Sequence, residues 1–266
     1  MIRWSLNIST LLREYPFLER FKRAADLGFK AVEFWWPTGI DLDALIRACE
    51  AACVSVAVLN TDGGNAAAGE RGFLGNPAKA NDLRANFILA LDLATALDCK
   101  LINLLGGTLV PGMTREAQLA EAAQMQAELC ALAAARDVTV TLEPQNCWDA
   151  PHYLFTTSAQ GIAQINAVGA ANLKLQYDVY HMQRMEGRIT DTLHDYIEQI
   201  AHIQIADVPG RNQPHTGELN YPFILREIQL IGYDGYVGLE YYAPGGDTLG
   251  ALSWLPKTRR ATYNAV

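Results

Sequence analysis

Glu143 closes an apolar, β-branched run, VTVTLEPQN from Val138 to Asn146, and Pro144 breaks the chain directly after it. A strand destined for burial gains nothing by ending on a carboxylate unless something there needs one, because an unpaired buried charge costs several kcal/mol. The same event recurs: Asp178 ends LKLQYD, Gln204 lies in HIQIAD and Glu240 ends YVGLE. Three carboxylates and one amide aimed at a common point make an oxygen-only ligand set, which selects Mg or Mn rather than Zn. Ionised around a divalent ion, the three acids Glu143, Asp178 and Glu240 leave a formal charge of about minus one, and the neutral amide of Gln204 completes the shell without adding to it. Any one of these side chains could instead cap a helix or pair with an arginine. That explanation weakens when all four must be covered at once.

Glu143 and Glu240 also form the acid/base pair that aldose-ketose chemistry requires. With a carbonyl and its neighbouring hydroxyl polarised by the metal, one carboxylate takes the proton from the carbon between them and the other returns a proton to the adjacent carbon, through an enediolate. His181, three residues after Asp178 in QYDVYH, reads as a loop residue donating to a substrate oxygen, with a partly buried structural histidine as the alternative. Arg211 in DVPGR and Arg71 in GERG offer planar forks for a substrate carboxylate, with ordinary surface arginines as the alternative. Glu70 then pairs with Arg71 or faces solvent. Asn7 and Asn60 end strands and line the pocket floor, and Glu33 in AVEFWW reads as an acid behind the ligands. Phe34, Trp35 and Trp36 wall the pocket or belong to the core. His202 opens a strand and reads as structural, while His152, His194 and His215 have no partner visible in sequence. Cys147 stands near Glu143 without a histidine at a spacing that would make it a nucleophile.

Such distant residues meet only if the scaffold gathers strand ends. Short β-type runs alternate with amphipathic stretches throughout, which predicts parallel strands joined by crossover helices. Strands are expected at Arg3 to Asn7, Ala31 to Trp35, Ser55 to Asn60, Lys100 to Leu105, Thr139 to Glu143, Leu173 to Asp178, His202 to Ala206 and Tyr236 to Glu240. Helices are expected at Pro16 to Leu27, Asp41 to Cys53, Thr114 to Arg136, Ser158 to Val168, Ile189 to Ile200, Pro222 to Leu230 and Thr248 to Trp254. Eight such units without a linker in 266 residues suit one domain, an α/β (β/α)8 barrel spanning the chain. Thr61 to Ala80 and Asp207 to Tyr221 are longer than a scaffold needs and follow strands, on the face where such barrels keep their chemistry.

Composition narrows the classes further. A formal charge of -8 and a pI near 5.1 argue against a nucleic-acid surface, which needs clustered Lys and Arg. No apolar run has the length to span a bilayer, and MIRWSLNIS lacks the marks of a signal peptide, so no membrane role is expected. Five cysteines without a C-x-x-C pair suggest free thiols in a reducing compartment, with cytoplasm as the default. The partner expected is a small hydroxy-oxo acid or sugar. The composition suits a homo-oligomer as well as a monomer.

The motifs LEPQN, NLKLQYDVYHMQRMEG, HIQIADVPGR, HTGELNYPF and GYDGYVGLEY, with AAGERG upstream, resemble the hydroxypyruvate isomerase family and the related 2-oxo-tetronate isomerases, among the xylose-isomerase-like TIM barrels. The resemblance runs from about Asn7 to Trp254. It implies a metal-assisted isomerase of small hydroxylated keto acids, turning hydroxypyruvate into tartronate semialdehyde or interconverting oxo-tetronates. The positions matching Glu143 and Glu240 are then the proton donor and acceptor, and Glu143, Asp178, Gln204 and Glu240 the Mg ligands. The superfamily's sugar epimerases carry a histidine where this chain has Gln204, which argues against a ketose 3-epimerase; a silent sugar-acid-binding barrel is a further alternative. Two departures bear on substrate choice: Tyr241-Tyr242-Ala243 stands where the family tends to have Tyr-Lys-Pro, and NCWDAPHY replaces a histidine-bearing stretch.

Overall fold

The computed structural model describes residues Met1–Val266. Eight parallel strands close on themselves: β1 (Ile2–Asn7), β2 (Ala31–Phe34), β3 (Ser55–Asn60), β4 (Leu101–Asn103), β5 (Thr139–Leu142), β6 (Leu173–Asp178), β7 (Ile200–Ile205) and β8 (Tyr236–Leu239). Strand β1 seals the cylinder by pairing with β8 on one side and β2 on the other. A ninth strand, β9 (Thr262–Tyr263), runs antiparallel to the start of β1 at the opposite end from the site. The expected (β/α)8 architecture is present.

The crossovers are helical. In order they are α1 (Glu19–Asp26), α2 (Leu42–Ala52), α3 (Ala80–Ala96), α4 (Arg115–Ala134), α5 (Ser158–Val168), α6 (Val179–Met185), α7 (Ile189–Tyr196), α8 (Tyr221–Leu230) and α9 (Thr248–Ala251). Local sequence explains their ends: Asp41, Thr114, Thr157 and Asn220 accept backbone N–H bonds at the starts of α2, α4, α5 and α8. Gly169 closes α5 in the left-handed region that glycine enters without steric cost. Outside the barrel, Phe17, Phe21 and Phe34 pack edge to face between α1 and β2, so Phe34 belongs to the core.

What positions the site is a period of two along the strands. Trp4 and Leu6 join the hydrophobic core, while Ser5 and Asn7 bond inside the barrel to side chains of the neighbouring β2 and of the residue after β8. The same split places Leu175 and Tyr177 in the core and Gln176 and Asp178 inside on β6. On β7 it leaves His202 and Gln204 inside. Alternating Cβ directions make this automatic once one face is committed. The result is a polar barrel interior in two tiers, the upper at the C-terminal strand ends.

Candidate active site

The lower tier centres on Glu33, fully buried on β2. Its carboxylate accepts from Gln204 Nε2 at 2.7 Å and Asn7 Nδ2 at 3.3 Å on one oxygen, and from Ser5 Oγ at 2.6 Å on the other, where His202 Nε2 also lies at 2.9 Å. Burial opposes its ionisation, but the His202 ring and the bonds from Gln204 and Ser5 outweigh burial and hold its pKa below the ordinary value. Space for it comes from Gly238 on β8, because a Cβ there would collide with both carboxylate oxygens. The network continues sideways: Gln176 Nε2 donates to Gln204 Oε1 at 2.8 Å, and Thr141 Oγ1 donates to Gln176 Oε1 at 3.2 Å. Both ends of the Gln204 amide are thereby assigned, with one lone pair of Oε1 remaining.

The upper tier holds the acids. Glu143, directly beyond β5, accepts from Asn103 Nδ2 at 2.8 Å. Asp178, the last residue of β6, accepts the Tyr180 N–H at 2.9 Å and so caps α6. Glu240, directly beyond β8, accepts from Trp35 Nε1 at 2.6 Å and Asn7 Nδ2 at 3.0 Å on one oxygen and from Arg211 Nη2 at 2.7 Å on the other. The same Arg211 nitrogen lies 3.4 Å from Asp178 Oδ2. Burial, then the facing charges of Glu240 and Asp178, drive the Glu143 pKa well above the carboxylate range. Asp178 is pushed up to about 7, by burial first and by Glu240, with Arg211 pulling the other way. Glu240 is raised as well, by burial and then, against Arg211, by Glu33. Of the three buried acids, Asp178 and Glu240 pair with one guanidinium, so full ionisation leaves three minus one, two negative charges, which is the deficit a divalent cation matches.

These groups open into a cavity of about 700 Å³ lined by Glu143, Glu240, His181, Arg211, Arg71 and Asn60, among others. Trp35 and Trp36 form part of its wall. Asn7 sits beneath Glu240. The loop that begins at Thr61 supplies Asp62 to Gly64, Ala66 and Glu70 as one side of the cavity, and Gly210 and Arg211 from the loop after β7 supply another. Ligand atoms of Glu143, Asp178 and His181 lie within 4.8 Å of one another, the spacing of a metal site. His181 Nε2 is 3.5 Å from Asp178 Oδ2 and 3.9 Å from Glu143 Oε1. Burial, followed by the charges of Arg211 and Arg184, lowers its pKa well below the ordinary histidine value.

Some expectations need correction. His181 is not on a loop but in the first turn of the short helix α6, which is why it is buried rather than partly exposed. Arg211 lines the cavity but is not unpaired: its Nη2 bonds to Glu240 and lies near Asp178, and its guanidinium stands 5.0 Å from the Tyr180 ring centroid. Glu70 and Arg71 do not pair. Glu70 Oε2 accepts the Asn65 N–H at 2.6 Å, while Arg71 Nη1 donates to the carbonyls of Ala66 at 3.0 Å and Glu70 at 2.8 Å, so its charge meets no carboxylate. His202, read as structural, is the partner of Glu33.

Asn103, Gln176, Tyr180 and Asp149 escaped the sequence reading although each bonds to or lines the site. Asn103 had a signal: it ends β4 as Asn7 ends β1 and Asn60 ends β3. Gln176 had one as well, two residues before Asp178 on the same face. Asp207 had none. Its carboxylate collects the backbone N–H groups of Val208, Thr216, Gly217 and Leu219 at 2.9 to 3.1 Å and so folds the loop that presents Arg211.

Comparison with known proteins agrees with this architecture. The family described as Xylose isomerase-like TIM barrel matches residues 21–258. The chain is 38% identical to hydroxypyruvate isomerase of Escherichia coli, over 97% of this chain and 100% of that one. It is 38% identical to 2-oxo-tetronate isomerase of Cupriavidus necator, over 96% of this chain and 98% of the relative. Among solved structures, one described as AP endonuclease, family 2, from Brucella melitensis superposes with a TM-score of 0.91 at 34% identity, covering 96% of this chain and 98% of the other.

Proposed function

This chain belongs to the xylose isomerase-like TIM barrels and, within them, to the hydroxypyruvate and 2-oxo-tetronate isomerases, and we propose that it shifts the oxo group of a three- or four-carbon hydroxy-oxo acid to the adjacent hydroxyl-bearing carbon by moving a proton between the two. The observation that carries the reading is the pairing of Glu143 and Glu240, two buried carboxylates on one cavity, raised in pKa and facing a single guanidinium.

The residues divide the work as follows. One of the two glutamates takes the proton from the hydroxyl-bearing carbon, the electron pair moves into an enediolate, and the other glutamate delivers a proton to the former carbonyl carbon. The hydroxyl proton moves to the neighbouring oxygen, so no atom or electron is gained or lost. The pKa values of Glu143 and Glu240 are raised in the metal-free fold; a carboxylate that also held the metal would be a weaker base, and the acidity would then come from the substrate C–H beside its polarised carbonyl. Arg71, lining the cavity without an acidic partner, takes the substrate carboxylate. Trp35 and Trp36 shield the reacting carbons from water.

Glu143, Asp178, Glu240 and the remaining lone pair of Gln204 are the groups that would hold Mg or Mn, and the two uncompensated negative charges counted above fit such an ion. When bound, a hard cation supplies polarisation of the substrate carbonyl and hydroxyl oxygens. The endonuclease activity named for the Brucella melitensis protein has no counterpart in the charge of this chain, -8, which repels a phosphate backbone.

The test is product analysis by NMR in deuterated water, with hydroxypyruvate, 2-oxo-tetronates and free ketoses offered in parallel. Isomerisation places solvent deuterium on the carbon that was the carbonyl; epimerisation exchanges it at a single carbon that keeps its oxidation level. Glu143→Gln and Glu240→Gln are each expected to reduce turnover roughly 100- to 10,000-fold. Full activity in Glu240→Gln would refute the acid/base assignment.

A further inference from the structure

We infer that Asn146 is a positioning residue that fixes the ring proton of His181 on Nε2, so that the imidazole enters the cavity as a hydrogen-bond donor to a substrate oxygen and does not serve as a metal ligand. The role of that donor rests on the isomerase reading above; the placement of the proton does not.

Asp149 is a carboxylate held by Arg184 Nη1 at 3.1 Å and by the Tyr180 hydroxyl at 2.8 Å, and a carboxylate only accepts. The Asn146 group 3.0 Å from Asp149 Oδ2 is therefore its NH2. The opposite end agrees, because Asn146 Oδ1 receives the backbone N–H groups of Trp148 at 3.1 Å and Asp149 at 2.9 Å, which only donate. With the amide orientation set from both sides, its second N–H is the one that meets His181 Nδ1 at 2.7 Å. The Asn146 backbone N–H reaches the same nitrogen at 3.1 Å. Two donors converge on Nδ1, which must present its lone pair to them, and the proton of the neutral ring is left on Nε2. That nitrogen lies 3.5 Å from Asp178 Oδ2 and 3.9 Å from Glu143 Oε1, with no hydrogen bond to either, which leaves its N–H for a substrate oxygen.

A ligating histidine shows the reverse arrangement. It gives its outward N–H to an acceptor and turns a lone pair to the metal. Here the outward nitrogen accepts, so ligation through Nε2 would require a ring stripped of both protons. Spacing alone groups His181 with Glu143 and Asp178 as a metal triad; the hydrogen-bond polarity separates it from them. The turn that does this is the segment from Asn146 to Asp149, in which the Asn146 and Asp149 side chains and the backbone N–H groups of Trp148 and Asp149 hold the amide that fixes the tautomer.

The test is two-bond proton–nitrogen NMR of the full chain with isotope-labelled imidazole rings, His181 being assigned by its loss in His181→Gln. The expected spectrum has Nδ1 bare and Nε2 protonated in chelator-treated protein, and the Nε2 proton persists when Mg is added. A proton on Nδ1 in the native chain, or loss of the Nε2 proton on adding Mg, would overturn the inference. Neither readout involves turnover, so failure of the isomerase assignment leaves this result standing. For the role of the donor, His181→Gln, which keeps an N–H, is expected to retain at least about tenfold more kcat than His181→Glu, which can only accept. Equal losses would overturn it. Asn146→Ala is expected to lower kcat roughly 10- to 100-fold with a smaller change in KM, and native kcat in that variant would show that Asn146 positions nothing.

Discussion

Replacing Glu33 by glutamine isolates the polar tier beneath the acids without changing its volume. The native carboxylate receives bonds from four side chains, Ser5, Asn7, His202 and Gln204. Glutamine offers one acceptor oxygen. If that oxygen keeps Gln204 and Asn7, the new NH2 faces Ser5, whose hydroxyl can turn and accept, and His202 Nε2, which must present a lone pair. His202 Nδ1 has no partner in the fold, so the ring can carry its proton there, but the charge-assisted contact disappears. Hydrogen bonds to charged groups contribute about 1.5–3 kcal/mol against about 1 for neutral ones, so weakening two of them and losing the ionic contribution comes to about 3 kcal/mol. With an unfolding entropy of about 2.1 cal/mol/K per residue, 266 residues give about 0.56 kcal/mol/K, and the Tm falls by about 5 °C. Circular dichroism melting in chelator reads this without interference from metal binding. A Tm within about 1 °C of the native chain would refute the claim that Glu33 is an ionised hub rather than a spectator.

Stabilisation by Mg should depend on pH in a stated direction. Asp178 has its folded-state pKa raised to about 7, so the metal-free fold binds more protons than the unfolded chain and loses stability as pH rises from the ordinary carboxylate range toward 7. Mg competes with those protons, and the Tm gain it gives should therefore grow as pH rises through about 7; a gain that shrinks over that range would contradict the ligand assignment. Asp207→Asn removes an acceptor from a site where four backbone N–H groups converge. It should cost about 3 kcal/mol in the melt and lower kcat, because the loop presenting Arg211, which holds Glu240, loosens; unchanged steady-state kinetics would show that the loop needs no such anchor.

Much of the scaffold is written locally. Apolar runs broken by Gly and Pro located the eight barrel strands, and Ser55–Asn60 and Leu173–Asp178 coincide with the expected bounds. Thr114 marked a helix start, because a cap is satisfied within one turn of chain. Helix α6 was missed since seven residues beginning at Val179 carry too little periodicity to separate from a loop. The acids at strand ends were legible for the same local reason: a charge at the end of a buried run needs a partner wherever the chain goes.

Which partner each one found was not legible. Gln204 looked like a bare ligand, yet its amide is shared between Gln176, 28 positions away, and Glu33, 171 positions away. Arg211 looked like a substrate clamp and is paired with the acids it faces, while Arg71, the weaker candidate in sequence, keeps a charge without an acidic partner. By itself the sequence determined which side chains point inward, through the two-residue repeat of a strand, and where a capped helix such as that after Thr114 begins. Only closure of the cylinder decided which inward groups meet and which nitrogen of His181 bears the proton, because a hydrogen bond depends on ångström distances across the barrel that no spacing along the chain encodes.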